Sequence, residues 1–223
     1  MRWRLIILEL IIITGVIYFS ITDKSNPNYN FQSFREIKEK LSPDKKILAE
    51  DLNRNSVKEE YRLENGVLKV IESGQIIWQT PINWWIDNFD LADSTNDGIE
   101  DINLSVWKIG DFGQSKPFWV KDNDQSIKNH FFVFGFREGK VKPIWQSSNL
   151  SSPNCDFLFK DVDNDSKQDL VVIEGQYREN FICDGHYLAV WKWNSWGFSN
   201  EWRSNLGDYT TINLAEIPST FDR

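Results

Sequence analysis

The chain is 223 residues long, with a formal net charge of −8, eleven tryptophans and two cysteines. An acidic balance argues against nucleic acid, which is bound by basic patches, and against an electrostatic grip on anionic lipid. Setting aside an apolar N-terminus leaves roughly 200 residues, enough for one domain with a sizeable core.

Arg2 and Arg4 precede an apolar run from Leu5 to Thr22 that holds one charge, Glu9. A helix of that length spans about 27 Å, close to the roughly 30 Å hydrocarbon core of a bilayer. Basic residues before the run, and no comparable cluster after it, predict a cytoplasmic N-terminus and an extracytoplasmic remainder. A cleaved signal peptide would need small residues at a processing site, and Tyr18-Phe19-Ser20 fits that pattern poorly. Residues 1–22 are therefore read as an uncleaved transmembrane anchor. Residues 23–55 read as a linker with one short helix. Phe34, Ile37 and Leu41 share a helical face, and Ser42-Pro43 ends it. That face packs on the domain or lies near the membrane surface.

Residues 56–223 read as a β-repeat domain. Trp78-Gln79-Thr80, Trp145-Gln146-Ser147 and Trp202-Arg203-Ser204 look like one position seen three times. Each follows a hairpin-like turn, at Glu72-Ser73-Gly74, Glu138-Gly139 and Asn194-Ser195-Trp196-Gly197. His130 and His186 open the strands before the second and third turns, so both are read as structural. Cys155 and Cys183 are the only cysteines. Outside the membrane an even pair favours a disulfide, with two buried thiols as the alternative.

Two loops carry the chemistry. In Asp161-Val162-Asp163-Asn164-Asp165-Ser166-Lys167-Gln168-Asp169, carboxylates stand at positions 1, 3, 5 and 9. Alternate side chains of a tight loop converge, and Ca²⁺ takes six to eight oxygen ligands. Asp161, Asp163, Asp165 and Asp169, with the Lys167 carbonyl at position 7, are the expected ligands. In the earlier copy the set is Asp93, Thr95, Asp97, the Ile99 carbonyl and Asp101, with the weaker neutral ligand at position 3. An EF-hand would need a bidentate Glu at position 12, and Leu104 and Val172 stand there.

These loops, each followed by a hydrophobic strand, resemble the FG-GAP/VCBS-type repeat found in integrin-α-like β-propellers. The loop at Asp161 has Ser166 in place of the repeat's Gly, and the loop at Asp93 has Thr95 in place of its second Asp. The resemblance covers roughly residues 67–217. It implies an all-β fold: a partial propeller-like array of about three four-stranded repeats, after the transmembrane and short helices. Propellers typically have four to eight blades, so the sequence predicts that something else covers the array. The candidates are a sandwich-like stack, the N-terminal segment, or another chain.

No G-x-S-x-G elbow, H-E-x-x-H or phosphate-cradling glycine loop is present. The expectation is a non-enzymatic, membrane-anchored binding or scaffold domain with structural Ca²⁺ loops and no catalytic residues. It would dock a protein partner or self-associate in the cell envelope. The alternative is a glycan-binding module or a carboxylate-dependent glycan-processing enzyme. Its sign would be an acid outside the loops, in a Trp-lined cleft, with a raised pKa.

Overall fold

The computed structural model describes residues 31–41, 45–111, 118–121, 124–179 and 181–221. The expected membrane span at residues 1–22 lies outside them. No helix among the described residues is long and apolar enough to cross a membrane.

The all-β expectation holds. Three antiparallel four-stranded sheets follow one another along the chain, each a simple meander. Sheet A holds β1 (Lys46–Glu50), β2 (Glu59–Glu64), β3 (Val67–Glu72) and β4 (Gln75–Gln79). Sheet B holds β5 (Trp84–Ala92), β6 (Asp101–Ile109), β7 (Ile127–Arg137) and β8 (Lys140–Gln146). Sheet C holds β9 (Asn154–Lys160), β10 (Asp169–Gln176), β11 (Asp184–Trp193) and β12 (Phe198–Arg203). They form no closed barrel or propeller among the described residues. β1 lies inside the stretch read from sequence as linker, where its polar flanks hide a strand whose Leu48 packs inward.

The Trp repeat has a structural cause. Val70 pairs with Trp78, Val133 with Trp145 and Val190 with Trp202, and each ladder slips by a residue straight afterwards. Such a bulge bends and twists its strand. The residue two after each Trp then ties the fourth strand to the third. Leu68 N donates to Thr80 Oγ1 at 3.1 Å, Phe131 N to Ser147 Oγ at 2.9 Å, and Leu188 N to Ser204 Oγ at 3.0 Å. The backbone replies with Thr80 N to Leu68 O, Ser147 N to Phe131 O and Ser204 N to Leu188 O. The hydroxyl at this position thus satisfies an amide that the bulged ladder leaves over. Two of the three hairpin turns, at Ser73-Gly74 and Glu138-Gly139, have positive φ at both central residues, which suits the twist of the strands they join.

The sheets stack through repeated faces. Tyr61, Leu63, Leu68 and Val70 of sheet A meet Leu104, Phe132, Phe134 and Phe136 of sheet B. On the other side of β7, Phe131 and Val133 meet Phe157, Phe159, Leu170 and Val172 of sheet C. Strand β7 is therefore buried on both faces, and its second half, Phe131 to Phe136, is apolar throughout apart from Gly135. The far face of sheet C, with Val171, Ile173, Leu188 and Val190, packs against Tyr209, Ile212, Ile217 and Phe221. The C-terminal segment stands where a fourth sheet would lie.

Helix α1 (Phe31–Leu41) packs on this domain. Phe34 is fully buried beside Trp85, Trp107 and Phe181. The buried face runs on through Lys38, whose ammonium lies 2.7 Å from Asp87, and Asp87 also accepts from the indoles of Trp85 and Trp107. Leu41, expected on the buried face, is 45 % exposed. The ion pair, not a third apolar residue, completes the contact.

Cys155 and Cys183 form a disulfide that ties the start of β9 to the segment before β11, with Cα atoms 5.2 Å apart. Gly175 is required opposite it, because a Cβ there would lie 2.5 Å from the Cys155 sulfur.

Candidate cation loops

Each of the two predicted loops joins the first and second strands of its sheet, and both have one backbone form. In sheet C, the Asp161 carboxylate accepts from Asp165 N at 3.1 Å and Ser166 N at 3.0 Å, and Asp165 accepts from Lys167 N at 2.9 Å. In sheet B, Asp93 accepts from Asp97 N at 3.0 Å and Gly98 N at 2.8 Å, and Asp97 accepts from Ile99 N at 2.9 Å. Positions 4 and 6 have positive φ in both: Asn164 and Ser166, Asn96 and Gly98. Gly at position 6 is therefore favoured but not needed, and Ser166 serves there. The position-9 carboxylate closes the loop from the strand: Asp169 accepts from Val162 N and Asp101 from Thr95 N.

A third loop, not anticipated from sequence, joins β1 to β2. It is Asp51-Leu52-Asn53-Arg54-Asn55-Ser56-Val57-Lys58-Glu59. Asp51 accepts from Asn55 N at 3.0 Å and Ser56 N at 2.8 Å, Asn55 from Val57 N, and the buried Glu59 from Leu52 N. Arg54 and Ser56 again have positive φ. The readable signal was oxygen-bearing side chains at positions 1, 3, 5 and 9. Asparagine and glutamate in place of aspartate concealed it.

The loops are joined in a row. Arg54, at position 4 of the first, donates to Gly98 O of the second at 2.9 Å. Asn96, at position 4 of the sheet B loop, exchanges hydrogen bonds with the backbone of Gln168 in the sheet C loop, at 2.7 and 3.4 Å.

Their electrostatics differ. In sheet C, oxygens of Asp161, Asp163 and Asp169 lie within 4.8 Å of one another, the one such group among the described residues. The Lys192 ammonium, from β11, lies 2.7 Å from Asp163, 2.9 Å from Asp165 and 3.6 Å from Asp169. Burial works against the lysine charge, but these carboxylates outweigh it and hold the Lys192 pKa above its usual value. The hydrogen bond from Lys192 in turn holds Asp165 below the usual carboxylate range, while burial pushes Asp169 up. In sheet B the corresponding group is Arg137, 3.3 Å from Asp97. Position 3, Thr95, adds no charge there, and its hydroxyl and that of Ser94 donate to Asp101. Burial raises Asp101 to about 6. In sheet A the partner sign reverses: Glu72 accepts from Asn53 and Asn55 at 2.7 and 2.8 Å. The third strand of each sheet thus answers the polarity of its own loop.

The sheet C loop fits a hard cation. Its donors are carboxylate oxygens, and Asp163 Oδ1 is buried with no hydrogen-bond partner. Asp161, Asp163 and Asp169 come together as the sequence predicts, whereas Asp165 stays outside that group; Lys192 bonds both Asp163 and Asp165. The sheet B set of Asp93, Thr95, Asp97, Ile99 and Asp101 shares one loop but gathers no comparable carboxylate group among the described residues.

No family model, no curated protein and no solved structure matches the chain.

Of the two histidines, His130 is fully buried in β7, with Nδ1 3.2 Å from Ser147 O. His186 lies in β11, 3.4 Å from Asp184.

Proposed function

We propose that the chain is a membrane-anchored, extracytoplasmic binding domain of the FG-GAP/VCBS kind. In it a row of loops, stiffened by calcium, holds a short propeller-like stack in one shape. The observation that carries this reading is the recurrence of one loop form in all three sheets, joined loop to loop. Asp161, Asp163 and Asp169 would hold the ion, and the ion would supply charge neutralisation rather than chemistry. The Cys155–Cys183 bond suits an oxidising compartment, in keeping with a domain held outside the membrane by residues 1–22.

The C-terminal segment already covers sheet C, so a missing sheet is no longer needed to explain that face. Among the described residues the outer face of sheet A remains open, with exposed Ile47 and Ile76 among Glu60, Arg62 and Lys69. A protein partner is read onto that face. Calcium titration of the full chain by calorimetry tests the cation reading. It should give a dissociation constant of about 10⁻⁴–10⁻³ M, as for extracellular modules, and no heat for Asp163→Asn. Wild type without binding heat or a change in melting would remove the reading.

A further inference from the structure

Between β8 and the inner face of sheet C lies a cleft of about 380 Å³, within the range of small-ligand sites. Its walls include Trp145, Trp191 and Trp196, with Glu174, Asn154 and a rim of serines. Trp196 is 85 % exposed, at the tip of the β11–β12 hairpin. That tip is fixed: Asn194 Oδ1 accepts from Trp196 N at 3.1 Å and Gly197 N at 3.0 Å. Gly197 lets Trp145 pack beneath, since a Cβ would come within 3.0 Å of its indole nitrogen.

Glu174 is the unusual member. It is 3 % exposed, yet it lines the cleft. Oε1 accepts from Trp191 Nε1 at 3.0 Å. Oε2 lies 2.6 Å from the Arg203 guanidinium, as an ion pair. The indole and the guanidinium thus hold the buried carboxylate in one place on the cleft wall. Burial pushes the Glu174 pKa up, against Arg203 and the Trp191 indole.

We propose that this cleft binds a neutral saccharide, one pyranose C–H face lying on Trp196 and a hydroxyl donating to Glu174. A purely apolar occupant would cover Glu174, Asn154 and the serine rim without offering them a partner. An acidic ligand would meet Glu174 and a chain of net charge −8. A sugar ring offers an apolar face to the aromatic walls and hydroxyls to the carboxylate and serines. Glu174 is the one acid among the lining residues, whereas glycoside hydrolysis uses a carboxylate pair. The cleft therefore binds without cleaving. It shares no residue with the cation loops.

The test titrates the full chain, in a glycoside-free detergent, with cellobiose, maltose, lactose and N,N′-diacetylchitobiose. Tryptophan fluorescence and saturation-transfer NMR report binding. At least one sugar should saturate at or below about 20 mM, with a dissociation constant of roughly 0.1–5 mM. Trp196→Ala should weaken it about tenfold, or about 1.4 kcal/mol, with melting unchanged because the ring packs on little. Glu174→Gln, similar in shape, should also weaken it. The proposal is overturned if none of the four sugars binds, if Trp196→Ala binds as wild type does, or if the apolar dye ANS binds while the sugars do not. Sugar binding that persists in EGTA separates this result from any failure of the calcium reading.

Discussion

Lys192→Met should make the fold depend on calcium. The ammonium sits among three carboxylates, at 2.7, 2.9 and 3.6 Å, and only 17 % of its side chain is exposed. Without it, Asp163, Asp165 and Asp169 lose their counter-ion, while oxygens of Asp161, Asp163 and Asp169 still lie within 4.8 Å of one another. Two like charges at that distance repel by about 3.5 kcal/mol at an effective dielectric constant of about 20. Exposed ion pairs contribute roughly 0.2–1 kcal/mol, and breaking fully buried ones costs roughly 3–5 kcal/mol. Lys192 lies between these limits, so its loss should cost about 2 kcal/mol in EGTA. For a chain of this size that lowers the melting temperature by about 4–8 °C. The uncompensated charge should then favour a divalent cation, so calcium should restore most of the loss. Thermal unfolding followed by near-ultraviolet circular dichroism reads the effect through the buried tryptophans. If the variant melts with wild type in EGTA, Lys192 is not the counter-ion of this loop and the electrostatic argument fails.

The other predictions concern the frame. Replacing Cys155 and Cys183 by Ser removes a cross-link over 28 residues and should cost roughly 3.5 kcal/mol in the chain-entropy model, read as a lower urea midpoint. Ser147→Ala leaves the Phe131 amide without its acceptor and should cost about 1–3 kcal/mol, with Ser147→Thr retaining most of the stability. His130 is held neutral, its pKa lowered to about 4 by burial and by the Lys108 charge. The unfolded chain therefore binds this proton more readily below the unperturbed value of about 6.5. Stability should fall by up to about 3 kcal/mol between pH 6.5 and 4, and His130→Gln should flatten that slope in pH-dependent melting curves.

The parts of this fold legible in the sequence are those where one residue type serves one local purpose at each repeat. The Trp-x-Thr/Ser positions were visible because the bulge and the hydroxyl clamp recur at Thr80, Ser147 and Ser204. The loops at Asp93 and Asp161 were visible because both carry aspartate at positions 1, 5 and 9 of a nine-residue loop. The loop at Asp51 was not, because Asn53, Asn55 and Glu59 give the same turn with different charge. Its compensation, Glu72, lies on another strand and outside any local pattern. Lys192 and Arg137 were hidden for the same reason. Leu41 misled because helical spacing cannot show that Lys38, paired with Asp87, would complete the buried face. The tryptophan cleft could be named in advance only as a type of site. Its residues come from β7 and β8 and all four strands of sheet C, and they meet only when the sheets stack.

The central claim is that the sheet C loop holds a hard cation that stiffens the domain. Thermal unfolding of the full, oxidised chain in EGTA and then in calcium at about ten times the dissociation constant tests it most directly. Binding at that ratio adds about 1.4 kcal/mol, so the melting temperature should rise by about 3–6 °C. Asp163→Asn should abolish the rise. Identical melting of wild type in EGTA and calcium would contradict the account, and Asp161, Asp163 and Asp169 would then be an acidic turn neutralised by Lys192 alone.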